Sequence, residues 1–309
     1  MTRRRFLTWL GHSALVAYPV YHPDLPSFAM NYPHVHLRLD DQHEIYAFSA
    51  GTVRVRPPHY HWQGPPALRF PAILGSHRWT EALPVWVFFL KTAQGNFLID
   101  TGEFAGVNDP AYLSGDMAGR VSRRILHLSV AEEEQADFFL RQMGQPPETV
   151  DAVLLTHLHL DHTDGLRFFT GAEIWVNKKE WNQPFGAVTS TFPPNLRLKQ
   201  ITFDDRVAPF GPARKVTEQL WLVPTPGHTP GHQSVAFFHG DTCFFFAGDA
   251  SFSQHQLLHN HRGGIVADWN TALKTYGQIR EWARTGKFIY LPSHDPLSGT
   301  RLANREALT

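Results

Sequence analysis

Residues 157–162 read His-Leu-His-Leu-Asp-His, which puts three imidazoles and a carboxylate within six positions. Imidazole is the commonest metal ligand and the usual acid–base group near neutral pH. In extended chain His157 and His159 point to the same side, roughly 6.6 Å apart along the strand. Two rings so placed can converge on one cation at zinc–nitrogen distances of about 2.0–2.1 Å. Asp161 would continue that parity, and a turn before Gly165 would swing His162 towards a neighbouring cation. A lone histidine is usually a satisfied core or surface residue, but four donors this close argue for a metal. Further donors follow other apolar runs. The stretch Pro226-Gly227-His228-Thr229-Pro230-Gly231-His232 sets His228 on a rigid turn after Leu220–Val223, which suits a preorganised ligand. Asp249 follows Cys243–Ala247, and His294 follows Phe288–Leu291. A carboxylate can bridge two cations, and two-metal hydrolytic sites hold them about 3.5–4 Å apart.

Those donors need strands to carry them. Glu44–Val55 alternates and contains Gly51, which predicts a strand or hairpin. Val85–Leu90 and Asn96–Asp100 flank Thr92-Ala93-Gln94-Gly95, a hairpin pattern. Ser129-Val130-Ala131-Glu132 reads as a capping box that opens a helix running to about Met143. Asp151–Leu155 then forms a short buried strand ending at Thr156-His157. The second half repeats the plan. Ser234–Phe238 and Thr242–Ala247 flank His239-Gly240-Asp241. Asp268 can cap a helix to about Arg284, with Trp269, Leu273, Tyr276, Ile279 and Trp282 at helical spacing. Hairpin, acid, helix, strand and histidine thus occur twice, as Asp100 then His157 and Asp249 then His294. Two sheets packed face to face with helices outside would give an α/β fold, a four-layer αββα sandwich.

Composition bounds the function. The 309 residues are 42% hydrophobic and 18% charged, ordinary values for a globular protein. Lys+Arg and Asp+Glu both number 28, so no basic field points to nucleic acid. One cysteine, Cys243, excludes an internal disulfide framework and reads as a core thiol. Nineteen histidines are the unusual figure. Thr2-Arg3-Arg4-Arg5-Phe6-Leu7 precedes an apolar run to Val20, followed by Ser27-Phe28-Ala29. This segment reads either as a twin-arginine export signal to the periplasm or as the basic arm of a cytoplasmic enzyme. Pro19–Pro33 reads as an irregular lead-in. No stretch is long and apolar enough for an integral membrane span.

These motifs together resemble the metallo-β-lactamase superfamily. The resemblance rests on Leu98-Ile99-Asp100-Thr101-Gly102, the His157–His162 run, Gly227-His228-Thr229-Pro230-Gly231-His232, Gly248-Asp249 and Ser293-His294. It implies residues 36–309 as a single hydrolase domain after an N-terminal segment, 1–35. It also implies two divalent metal ions, zinc first, with manganese, cobalt or iron as alternatives. One ion would take His157, His159 and His228, the other Asp161, His162 and His294, with Asp249 bridging. Asp100 would steady the ligand loop from behind, and His232 would support rather than ligate. Two cations sharing a solvent molecule would supply a hydroxide for attack on a carbonyl. Asp161 would act catalytically, passing a proton to the leaving group.

Residues 225–234 with Gly248-Asp249-Ala250-Ser251, and Tyr46–Val53, are most similar to the quorum-quenching N-acyl homoserine lactonases. That points to a small-molecule ester or lactone as partner and leaves the oligomeric state open, a homodimer included. Those lactonases carry a tyrosine three residues after the bridging aspartate. This chain has Phe252, which cannot donate a hydrogen bond, so another donor or another ester is expected. Phe185 and Phe192, in the aromatic insert Trp181–Leu196, are candidates for an apolar wall of the pocket. A glyoxalase II-like thioesterase or an aryl organophosphate hydrolase would use the same ligands. The first lacks a basic cluster near the C-terminus. A flavin-linked diiron oxidoreductase would have glutamate at His159 and a further domain. A non-catalytic metal scaffold fits a complete ligand set poorly. His34, His36, His59 and His61 lack nearby acids and read as exposed or packing residues. His255, His259 and His261 sit where they could line the pocket mouth.

Overall fold

The computed structural model describes residues 34–309 other than Pro110 and Asp116. The arginine-led segment, the proline-rich lead-in and most of the 1–35 arm lie outside the described residues. Fourteen strands build two sheets among the described residues. The first contains β1 (Val35–Arg38), β2 (Glu44–Val55), β3 (Leu83–Thr92), β4 (Gly95–Ile99), β5 (Leu126–Ser129), β6 (Ala152–Leu154), β7 (Glu173–Asn177) and β8 (Arg197–Ile201). Their order is β1-β2-β3-β4-β6-β7-β8, with β5 also paired to β2. The second contains β9 (Asp205–Val207), β10 (Gly211–Lys215), β11 (Leu220–Pro224), β12 (Gln233–His239), β13 (Thr242–Gly248) and β14 (Lys287–Pro292). Its order is β14-β13-β12-β11-β10-β9.

The middle strands are buried on both faces, so they read as unbroken apolar runs rather than as alternation. In β3, Trp86, Phe88 and Leu90 face the inter-sheet core, where they meet Phe244 and Phe246 of β13. Val87 and Phe89 turn outwards to pack beside Leu140 of the helix Ala136–Gln142. On the far side Phe245 and Ala247 of β13 pack with Tyr276, Ile279 and Trp282 of the helix Trp269–Ala283. That gives helix, sheet, sheet, helix: the expected four-layer αββα sandwich. Cys243 is a free thiol buried in the outer part of this second sheet. Among the described residues no helix is long and apolar enough to cross a membrane.

Both halves use one local topology. β3 and β4 form an antiparallel hairpin, and β6 then pairs parallel to β4. Likewise β12 and β13 form a hairpin, and β14 pairs parallel to β13. Asp100, Thr156-His157, Asp249 and His294 all lie just beyond the carboxyl ends of these parallel pairs. Open α/β sheets place ligand sites at such strand ends.

Two local expectations are corrected. Ser129 does not cap a helix: it is the last residue of β5 and pairs with Thr52. The Glu134 side chain returns instead to the Ala131 N–H at 2.8 Å, and the helix proper starts at Ala136 after a 3-10 turn. Asp161 does not continue a strand parity either. His159 is the last extended residue, and Leu160–Thr163 is a single helical turn. That turn brings Asp161 and His162 round to the donors from the other strands.

Candidate metal centre

Backbone clamps hold the ligand loops before any ion is considered. Glu180, fully buried on the short helix Lys178–Asn182, joins two of them. Its Oε1 accepts the Leu158 N–H at 3.2 Å. Its Oε2 accepts the Thr229 hydroxyl at 2.7 Å and the Gly231 N–H at 2.9 Å. A Cβ at Gly231 would stand 2.2 Å from the Glu180 nitrogen, so only glycine lets that loop approach. Gly227, at φ +139°, is similarly pressed against Ala272 of the long helix. The third loop is tied by Trp86, whose N–H and indole N–H donate to the Ser293 and Asp295 carbonyls.

The hydrogen bonds then assign the ring tautomers. Asp100 accepts the Thr156 N–H on Oδ1 at 2.8 Å. Its Oδ2 accepts the Thr156 hydroxyl at 2.8 Å and His162 Nδ1 at 2.7 Å. With its hydrogen committed to Asp100, the Thr156 hydroxyl accepts from His157 Nδ1 at 3.0 Å. Both rings therefore present a bare Nε2. His294 donates Nδ1–H to the Pro84 carbonyl at 2.8 Å, which turns its Nε2 towards the Asp161 and Asp249 carboxylates. His159 donates Nε2–H to the Phe185 carbonyl at 3.1 Å, so its lone pair is on Nδ1, 2.9 Å from His228 Nε2.

These lone pairs converge on Asp249, whose two oxygens divide the site. Oδ2 lies 3.4 Å from His228 Nε2 and 4.0 Å from His157 Nε2. Oδ1 lies 3.3 Å from His294 Nε2 and 3.5 Å from His162 Nε2. Asp161 faces the second set, with Oδ2 3.2 Å from His294 Nε2. Ligand atoms of His157, His159, His228 and Asp249 lie within 4.8 Å of one another, as do those of Asp161, His162 and His294. His157 Nε2, His162 Nε2 and Asp249 Oδ1 are buried and make no hydrogen bond. Orphaned buried donor atoms are costly, and aimed at one point they fit a cation pair.

Charge sorts the site the same way. Burial, then the neighbouring imidazoles, hold His157 well below the ordinary histidine range. Burial also drives His228 well down, though Asp249 pulls the other way. On the other side burial opposes a charge on His294, but Asp249 and Asp161 outweigh it and push the ring up to about 10. Burial likewise works to raise the Asp249 carboxyl, and His294 and His162 hold it well below the carboxylate range. The carboxylates thus demand positive charge at the centre.

His232 stands behind the donors. Its Nε2 accepts the Asp249 N–H at 3.0 Å and its Nδ1 faces the Thr225 hydroxyl at 2.9 Å, so both ring nitrogens are engaged. Phe252 lies against the centre, its ring 5.1 Å from His294 and 5.8 Å from His228. Phe185 has its ring 6.5 Å from His159. Phe192 stacks on Trp181 and packs, partly buried, on the outer face of the first sheet. His36 does have an acid, Glu44 Oε2 at 2.6 Å, supplied by the neighbouring strand. His59 is buried against Phe252 at 5.9 Å. His61, His255, His259 and His261 form one ring cluster on and beside the helix Gln254–His259. Thr156 and Glu180 carry no sequence motif: Thr156 links the adjacent His157 to the distant Asp100, and Glu180 reaches Leu158, Thr229 and Gly231 from beside the aromatic insert.

The profile of the metallo-beta-lactamase superfamily matches residues 80–294. That interval covers every donor named above. The chain belongs to the metallo-β-lactamase superfamily. An N-acyl homoserine lactonase of a Bacillus species is 32% identical over 157 residues, 50% of this chain and 58% of that protein. The alignment thus spans little more than half of that relative. A probable metallo-hydrolase of Mycobacterium tuberculosis is 26% identical over 231 residues, 70% of this chain and 72% of its own length. A solved N-acyl homoserine lactone hydrolase with N-hexanoyl-L-homoserine bound at its catalytic metal centre superposes with TM-score 0.67. It is 23% identical and covers 81% of this chain and 92% of its own. The metallo-β-lactamase fold explains why seven candidate donors from four loops end in one place: both sheets terminate there.

Proposed function

We propose that this chain is a metal-dependent hydrolase that opens lactone rings, with N-acyl homoserine lactones as the substrate class. The observation that carries the reading is the Asp249 carboxylate, with one oxygen turned to each of two histidine-rich donor sets. His157, His159 and His228 would hold one divalent cation, Asp161, His162 and His294 a second, and Asp249 both. Nitrogen and oxygen donors in this ratio suit zinc, and also manganese, cobalt or iron. Such a pair supplies an acidified water and polarises a carbonyl oxygen.

The chain's own residues then have definite tasks. Asp100, Thr156 and Pro84 keep N–H groups on the outer ring nitrogens, so the inner ones remain donors. Asp161 is the more exposed carboxylate of the pair, its side chain 10% accessible against 3% for Asp249. Its carboxylate would take the proton released when water adds to the carbonyl, then return it to the ring oxygen as the C–O bond breaks. Phe252 and Phe185 offer the apolar contact that an acyl chain requires. The lactonase-type relatives support this substrate class.

The test is a panel of N-acyl homoserine lactones, thioesters and aryl phosphotriesters, assayed on metal-analysed protein. Ring opening of the lactones at rates well above those on the other two classes is expected. Fast thioester or phosphotriester cleavage with inert lactones would overturn the substrate assignment.

A further inference from the structure

At the other end of the sheets stands a second set of metal-type donors. Asp40 lies in the turn between β1 and β2, His43 at the foot of β2, and His239 at the end of β12. The seven residues of β12 put His239 roughly 20 Å from the catalytic end at strand rise. Asp40 Oδ1 accepts the N–H groups of Gln42 at 2.7 Å and His43 at 2.8 Å, so its own turn fixes the carboxylate. Oδ2 lies 2.9 Å from His43 Nδ1 and 2.9 Å from His239 Nε2. The three donor atoms fall within 4.8 Å of one another.

We propose that Asp40, His43 and His239 form a separate site for one zinc-class cation, which clamps the turn of the first sheet to the hairpin of the second. Two imidazoles and a carboxylate are a borderline N/O set of the kind zinc takes with three protein ligands and one water. The degree of burial suits that arrangement. The His43 side chain is 10% accessible, while Asp40 at 44% and His239 at 24% leave a face open for water. Arg38, the cation of the same turn, is paired with Asp41 at 2.6 Å, which offsets its repulsion of an incoming ion. His239 first, then the Gln42 N–H and His43, hold the Asp40 carboxyl well below its usual range, so the ligand form is already present. Binding through His43 Nδ1 moves its proton to Nε2. That atom is buried and unpartnered already, so the transfer breaks no hydrogen bond there. Asp40 and His239 are 199 residues apart, and an ion that joins them closes a long loop between the sheets.

The site is independent of the catalytic reading, because the experiment counts a difference between proteins rather than a total. Full-length wild type, His239→Gln and Asp40→Asn are loaded with zinc, passed through gel filtration and analysed for bound metal. Asp40→Asn retains an oxygen for the turn N–H groups and so guards against a folding defect in the hairpin variant. One zinc equivalent fewer in both variants is expected, with lactone turnover unchanged and the zinc-dependent rise in melting temperature reduced. Zinc anomalous density between the three side chains of the wild type is expected as well. Equal zinc content in all three proteins, or wild-type crystals without that density, would mean that protons alone hold the clasp and would overturn the proposal.

Discussion

Asp100→Asn should do more damage than its size suggests, because it reverses a chain of protons. In the native site Asp100 only accepts: from the Thr156 N–H and hydroxyl, and from His162 Nδ1. An asparagine can turn its oxygen to the Thr156 N–H, but its NH2 then meets the hydroxyl and the ring nitrogen. Relief comes only if His162 carries its proton on Nε2. The freed Thr156 hydroxyl then donates to His157 Nδ1, which moves that proton to Nε2 too. Both inner nitrogens become N–H groups, which cannot ligate. Two hydrogen bonds to a charged group, at about 1.5–3 kcal/mol each, favour the native arrangement. Loss of one such orienting partner typically costs about 10–100-fold in metal affinity. With both donor sets affected, a fall of roughly 100-fold or more is expected. Competition with a chromogenic zinc chelator reads it, and Thr156→Val, which removes the hydroxyl link but adds no wrong donor, should fall less. Asp100→Asn retaining both zinc ions at wild-type affinity would refute the tautomer argument.

Other expectations concern the same framework. Glu180→Gln replaces an acceptor facing Thr229 and Gly231 with a donor; stability should fall by about 2–4 kcal/mol in urea denaturation, with weaker metal binding. Glu103 is buried with neither carboxylate oxygen hydrogen-bonded, and burial, then Asp164 and Asp161, push its carboxyl well above 4.5. The folded state therefore keeps a proton that the unfolded chain has lost, so stability drains as pH rises above about 4.5, by up to about 1.4 kcal/mol per unit. Glu103→Gln, compared with wild type by denaturation between pH 5 and 8, should gain relative stability with rising pH; a constant difference would contradict this. Asp249→Ala should bring turnover to background, and exhaustive chelation of the wild type should do the same with recovery on added zinc.

The donors were legible because they are local. A histidine run, a Pro-Gly turn and an acid after an apolar strand need no distant partner to be noticed, and strands buried on both faces announce themselves as runs. What was not legible depends on pairing across long separations. Ser129 looks like a cap until β5 finds Thr52, and His36 looks unpaired until β2 brings Glu44 beside it. The parity argument places Asp161 on an extended backbone, whereas the chain turns helical at Leu160 and brings its carboxylate beside His294 by that route. Thr156 and Glu180 carry no motif at all, and their importance lies in which N–H groups they face. An aromatic in an insert, such as Phe192, can line a site or pack on a sheet, and its contact with Trp181 is not visible until the chain folds.

Anomalous diffraction from zinc-loaded crystals puts the central claim to its most direct test. Two neighbouring peaks are predicted, one bounded by His157, His159 and His228 and one by Asp161, His162 and His294, with Asp249 reaching both. A centre without metal, or zinc bound only away from Asp249, would contradict it.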